Sequence, residues 1–265
     1  MAPPRYRIDY SLLDRPEVTD YIFYPRQAAT EPPPGASDHF IPVDEGLTVA
    51  CRFYKVEGAS ASFLYFHGNG EVVSDYDWIA PLYSAIGVSL FVADYRGYGR
   101  SGGVPNFSRI AGDSHPIFRY FRDLVRASPK PTALFVMGRS LGSESALELA
   151  AHYPGDLKGL ILESGSPNPG RLLRRFNIAV PSGGLEELDK AVLERMKSIT
   201  LPVLVIHGES DELIPVRHAI DFYENVGSGD KKLVIIPGAG HNDIMLVGME
   251  QYLSAVGEFV HRHAG

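Results

Sequence analysis

Apolar residues fall along this chain in two rhythms. Four short continuous runs, S-F-L-Y-F (62–66), S-L-F-V-A (89–93), A-L-F-V-M (133–137) and G-L-I-L (159–162), each end in glycine or a polar cluster, and two more follow late, V-L-V-I (203–206) and L-V-I-I (233–236). Apolar runs of this length without alternation predict strands buried on both faces, as in a parallel sheet covered by helices. Stretches of helical length separate most of them, at 71–86, 108–127, 141–153 and 216–226, with a last one at 248–262. Pro81 lies inside the first, so that helix is expected to start late or to kink. Strand and helix in alternation predict an α/β class: a mostly parallel, twisted sheet of about eight strands with helices on both faces.

Two regions depart from the rhythm. Residues 25–46 gather Pro25, Pro32, Pro33, Pro34, Gly35, Pro42 and Gly46, a composition that predicts an arm or loop. L-T-V-A-C-R-F-Y (47–54) then alternates in part and suits an edge strand. The chain therefore divides into an N-terminal arm and first-strand region, 1–46, and a main domain, 47–265. Inside that domain, no strand is expected between 162 and about 202. The interval holds L-L-R-R-F-N-I (172–178), a P-S-G-G turn (181–184) and a stretch in which Leu185, Leu188, Val192, Met196 and Ile199 recur every three or four residues. That spacing makes one apolar helical face. A helix packed on the sheet and a short cap insertion at about 165–200 both fit it.

Length and composition narrow the class. A chain of 265 residues with 45% hydrophobic and 22% charged residues can fill one large core. Its formal charge of -7 lacks the basic footprint that neutralises phosphates, so no nucleic-acid partner is expected. Cys51 is the single cysteine, which excludes an intrachain disulfide and a thiolate metal cluster; neither H-E-x-x-H nor C-x-x-C occurs, and no metal is implied. Met1 to Tyr10 lacks the apolar stretch of a signal peptide, and no run reaches the roughly 18 to 20 apolar residues of a bilayer span. The expectation is a cytoplasmic protein without a transmembrane segment.

The chemistry gathers at strand ends. G-R-S-L-G (138–142) directly follows the run A-L-F-V-M and directly precedes the small-residue stretch E-S-A-L-E-L-A-A. A serine flanked this way sits on a tight strand-to-helix turn that exposes its hydroxyl, with the free N–H groups of the next helix aimed at any developing oxyanion; this makes Ser140 the candidate nucleophile. Its hydroxyl needs a base, and nine histidines compete. His39, His115, His152, His218, His261 and His263 are expected at the surface, while His67 and His207 end strands before glycine and suit structural hydrogen bonds. His241 remains, after the last strand and a glycine-rich loop, in the chain order serine, acid, histidine. For the acid, V-L-V-I-H-G-E-S-D-E-L-I-P offers Glu209, Asp211 and Glu212, with Asp243 further behind. D-Y-R-G-Y-G-R-S (94–101) is glycine-rich and basic, yet no G-K-S/T follows, which rejects a nucleotide site. Asp94, Arg96 and Glu163 are expected to be structural.

These motifs, H-G-N-G (67–70), D-Y-R-G-Y-G-R-S, G-R-S-L-G, H-G-E-S-D (207–211) and G-A-G-H (238–241), occur in the order found in the α/β-hydrolase superfamily. From about residue 47 to the C-terminus the chain resembles that superfamily, and within it the small-cap serine hydrolases of the lysophospholipase, monoacylglycerol-lipase and acyl-protein-thioesterase kind. The resemblance implies Asp211 as the acid. It also implies the backbone N–H groups of Asn69 and Leu141 as oxyanion donors, with Gly70 able to share the former's place. It implies cofactor-free hydrolysis of a small ester or acyl substrate, the short cap favouring modest acyl groups. A peptidase or perhydrolase with the same triad, and a ligand-binding protein that has lost turnover, are the alternatives.

Overall fold

The computed structural model describes residues 7–175, 178 and 183–265. In chain order the elements are α1 (Pro16–Ile22), β1 (Ala36–Asp44), β2 (Leu47–Tyr54), β3 (Ala61–Phe66), α2 (Ala80–Ala85), β4 (Val88–Ala93), α3 (Phe107–Arg126), β5 (Ala133–Arg139), α4 (Ser143–His152), β6 (Gly159–Glu163), α5 (Gly170–Arg175), α6 (Gly184–Ser198), β7 (Val203–Gly208), α7 (Arg217–Asn225), β8 (Lys231–Ile236) and α8 (Ile244–His263). The strands form one sheet in the order β1-β2-β4-β3-β5-β6-β7-β8. β2 runs antiparallel to both neighbours, and every pairing from β4 to β8 is parallel.

Each predicted apolar run is a strand, and β3 to β7 bury nearly every residue because helices cover both faces. Alternate side chains feed two cores. Leu64 and Phe66 of β3 pack with Phe118 and Phe121 of α3, Leu147 of α4 and Val192 of α6 on one face. Phe63 and Tyr65 pack with Tyr83 of α2 and Tyr252, Val256 and Phe259 of α8 on the other. After β3 the chain builds β4 on one side, then crosses to place β5 on the other. The strand order therefore reverses between β3 and β5, the place beyond whose carboxyl ends open α/β sheets hold their ligands.

The structure corrects the expected outline in several places. Residues 36–44, anticipated as arm or loop, form the edge strand β1, paired along its length with β2; Pro42 is accommodated where the register slips between Pro42 and Asp44. The stretch 71–86 is a short 3₁₀ turn (Val73–Asp77) followed by α2, with Pro81 in its first turn, where a missing N–H costs nothing. The last helix starts at Ile244 and kinks at Gly248, the residue at which the sequence pattern placed its start. Leu188, Val192, Met196 and Ile199 are all buried, so α6 packs its apolar stripe inward. Pro181 and Ser182 of the expected turn, with part of 172–178, lie outside the described residues.

Polar contacts through two buried arginines fasten the arm and β1, and Arg52 reaches the arm itself by donating to the Thr30 carbonyl at 2.6 Å. Arg52 is fully buried on β2 and donates to Asp38 (2.7 Å) and Asp77 (2.9 Å). Arg195 of α6 is fully buried against Glu144 of α4, whose Oε1 also accepts the Tyr10 hydroxyl at 2.5 Å. Cys51 is buried, and burial pushes its thiol up. Among the described residues, no helix is long and apolar enough to cross a membrane.

Candidate active site

Five loops meet at the carboxyl edge of the sheet, following β3, β4, β5, β7 and β8. At the end of β5 the chain turns so sharply that Ser140 takes a φ of 51°, a left-handed conformation that side-chain-bearing residues seldom adopt. The turn closes only with glycine on both sides. A Cβ at Gly138 would lie 2.4 Å from the Gly142 carbonyl oxygen, and one at Gly142 would lie 2.1 Å from that of Phe66. G-R-S-L-G is therefore a packing requirement between β3 and β5 as much as a turn signal. α4 begins directly behind the serine.

His241 reaches the serine from the loop after β8. Its Nε2 lies 3.0 Å from Ser140 Oγ, and its Nδ1 lies 2.8 Å from Asp211 Oδ2. The Asp211 side chain is wholly buried, and its second oxygen accepts the backbone N–H groups of Leu213 (3.0 Å) and Ile214 (2.7 Å). A second imidazole, His207, lies 3.2 Å from Oδ2. Burial by itself pushes the Asp211 carboxyl up, but hydrogen bonds from His207, His241 and the Ile214 N–H outweigh it and hold the group well below the usual carboxylate range. An ionised acid at Nδ1 fixes the tautomer that leaves Nε2 free to accept a proton. Glu209, after β7, accepts Gly238 N–H from the loop after β8, Asp243 accepts Gly240 N–H within its own loop, and Glu212 is exposed; none of the three is hydrogen-bonded to His241 among the described residues.

The turn after β3 stands beside the elbow, since Phe66 pairs with Gly138. His67 Nε2 meets Asp94 Oδ1 at 3.0 Å, and the same oxygen accepts Val73 N–H, so both residues brace the turn rather than face the serine. Burial disfavours the His67 imidazolium, but the hydrogen bond and charge of Asp94 raise its pKa above the ordinary value. Asn69 is tied to the arm: its Oδ1 accepts Tyr24 N–H (3.0 Å) and the Tyr98 hydroxyl (2.6 Å), and its Nδ2 donates to the Ile22 carbonyl (2.5 Å). Asn69 thereby sits in a braced turn at the end of β3, and Leu141 follows the serine at the head of α4. Arg96 is engaged by Asp113, at 2.7 Å through each of two nitrogens.

Some features were not legible as motifs. His218, expected at the surface, is buried; its Nδ1 lies 3.0 Å from Ser166 Oγ, and burial, reinforced by the charges of Arg171 and Arg217, pushes it down to about 4. It lines a cleft of about 850 Å³ between α5, α6 and α7, walled also by Leu213 and Ile214 of the acid's turn. Arg171 pairs there with Asp221, and Arg174 with Asp189. Arg139 pairs with the part-buried Glu71 and donates to the exposed Asn242, a polar bridge beside the serine made from single positions that carry no spacing signal. On the helix face, His115, Glu148 and His152 bring possible ligand atoms within 4.8 Å of one another. Arg195 stands 3.8 Å from that carboxylate, and the group joins α3 to α4.

An eight-stranded, mostly parallel sheet with a strained serine turn after its fifth strand is the α/β-hydrolase fold. Solved structures agree. An esterase of Pyrococcus furiosus superposes with a TM-score of 0.72 at 19% identity, over 91% of this chain and 100% of that one. A soluble variant of the Saccharomyces cerevisiae monoglyceride lipase gives 0.69 at 17%, over 91% and 99%. The chain belongs to the hydrolase family described as "Serine aminopeptidase, S33", whose model matches residues 58–180 and 183–245. It is also 31% identical to the human alpha/beta hydrolase domain-containing protein 17B over 223 residues, 82% of this chain and 72% of that protein.

Proposed function

We propose that this protein is a serine hydrolase that cleaves a carboxylic ester or thioester of a small-molecule substrate through an acyl-enzyme on Ser140. The observation that carries this reading is the unbroken hydrogen-bonded line from Asp211 through His241 to Ser140, with spacings of 2.8 and 3.0 Å. In it His241 Nε2 takes the hydroxyl proton as Oγ attacks the carbonyl carbon, and buried Asp211 stabilises the imidazolium that forms. The backbone N–H groups of Asn69 and Leu141 receive the oxyanion, each such donor being worth a factor of roughly 100 to 1,000 in rate. As the tetrahedral intermediate collapses, His241 returns the proton to the departing alkoxide or thiolate. Water, deprotonated by the same imidazole, then releases the acid. The chemistry uses side chains and backbone alone. A lone buried thiol, Cys51, fits work in a reducing compartment such as the cytoplasm.

A fluorophosphonate probe tests the nucleophile. Wild-type protein is expected to become labelled and Ser140→Ala to stay blank; labelling that survives the substitution, or none on the wild type, ends the proposal. A panel of acyl esters, thioesters and aminoacyl amides of graded chain length then separates esterase from peptidase, and turnover is expected to be highest on short acyl esters or thioesters.

A further inference from the structure

The mechanism above gives no task to Arg139, the residue immediately before the nucleophile. Its side chain is 11% exposed and lies between two carboxylates: Nη1 donates to Glu71 Oε1, and Nε donates to Glu163 Oε1 at 3.1 Å. Nη2 donates to the backbone carbonyl of His241 and to Asn242 Oδ1, both at 3.0 Å. One planar group thus touches the turn after β3, the end of β6 and the loop that carries the base. Each far end is anchored. Glu71 Oε2 accepts Gly68 N–H and the Tyr76 hydroxyl, both at 2.8 Å, which fixes the turn holding Asn69. Glu163 Oε2 accepts the Tyr252 hydroxyl at 2.6 Å, and Tyr252 in turn bonds Tyr83 in the second core.

Burying a guanidinium with two carboxylates is a poor source of stability, since apolar side chains of similar volume fill such a space at lower cost. What the trio supplies instead is geometry: only the guanidinium fork presents donors in one plane toward three separate segments. The backbone is fitted to it as well, because a Cβ at Gly68 would lie 2.3 Å from Arg139 Nη1.

We propose that Arg139 is a positioning residue for acyl transfer, holding the turn of Asn69 and the loop of His241 at a fixed separation on either side of Ser140. The proposal rests on the serine-hydrolase reading. A displacement of about 1 Å at a site of this kind costs on the order of 100-fold in rate, and it falls on the chemical step because the Arg139 guanidinium itself bonds protein groups.

The test measures kcat, KM and melting temperature for hydrolysis of a short p-nitrophenyl ester by the full chain, with Ser140→Ala as background. Arg139→Ala is expected to lower kcat roughly 100-fold with KM within about threefold of wild type. Added guanidinium in the millimolar range is expected to restore part of the loss, where equal sodium chloride does not. Arg139→Lys, which keeps the charge and loses the fork, is expected to fall about tenfold in kcat. Should Arg139→Ala fail to fold, Arg139→Lys and Glu71→Gln carry the same kcat-against-KM comparison. Arg139 variants that keep kcat within about threefold, or whose loss follows lowered melting temperature without rescue, overturn the proposal while leaving the nucleophile intact. Wild-type activity that does not depend on Ser140 overturns the serine-hydrolase reading itself, and this proposal with it.

Discussion

Two serines end neighbouring strands in the same unusual conformation. Ser140 follows β5 with φ 51°, Ser164 follows β6 with φ 47°, and the residues before them, Arg139 and Glu163, are paired in register. They are the two non-glycine residues with positive φ among those described. Beyond the backbone they differ in everything chemical. Ser140 is partly exposed and meets an imidazole at 3.0 Å. Ser164 is fully buried, its N–H donates to the Ile206 carbonyl, and its hydroxyl has no partner among the described residues. A left-handed serine at the end of a parallel strand is therefore a product of the turn. An imidazole within hydrogen-bond reach and partial exposure are what set Ser140, the proposed nucleophile, apart from Ser164.

That contrast is sharpened first by Ser140→Gly. On the proposed mechanism turnover is expected to fall about 10⁶-fold, since the hydroxyl assigned as nucleophile is removed. Folded stability is expected to rise by about 1 kcal/mol, or roughly 2 to 4 °C in melting temperature, because glycine accepts positive φ without penalty. A variant that loses activity without gaining stability would show that the turn carries no strain.

Next in size is Asp211→Asn, expected to lose roughly 10⁴-fold in turnover while remaining folded. Wild-type stability should depend on pH with a definite sign. The folded Asp211 carboxyl lies well below the ordinary range, so its contribution is complete above the unfolded value near 4 and disappears as pH falls through the lower folded value. Acid unfolding curves should therefore show a gap between wild type and Asp211→Asn that is widest at neutral pH and narrows below about pH 4.

The smallest effect belongs to the second serine. Ser164→Gly relieves the same backbone conformation and removes a hydroxyl without a partner, so about 0.5 to 1 kcal/mol of added stability is expected, with turnover within about twofold of wild type. A tenfold loss of turnover would make Ser164 part of the reaction and dissolve the contrast.

The elements most legible from sequence are those in which local pattern and burial coincide. β3 to β7 are continuous apolar runs because both faces are covered, and α6 keeps its apolar stripe because that face points inward. β1 escaped the pattern because its strand character comes from pairing with β2 in a proline-bearing, half-exposed stretch. The residues selected from motifs at the ends of β5, β7 and β8 meet in space because all parallel strands deliver their carboxyl ends to one edge. The link that joins Arg139 to Glu71 and Glu163 stayed invisible for the opposite reason. They are single charged residues whose relation exists only once three loops have met. His218 was misread as a surface group because its place on α7 shows a helix in sequence, while its burial is set by the distant Ser166 and Arg171.

The tethering of Asn69 to Ile22 and Tyr24 bears on how this protein matures. Residues near 22, 69, 140, 211 and 241 converge on one edge through contacts that span 30 to 101 positions of sequence, non-local pairings of the kind that form late. A chain emerging from the ribosome carries the Ser140 hydroxyl for 101 residues before the imidazole proposed to activate it has been made. On the proposed mechanism, hydrolysis therefore begins only once the segments near 22, 69, 140, 211 and 241 have come together.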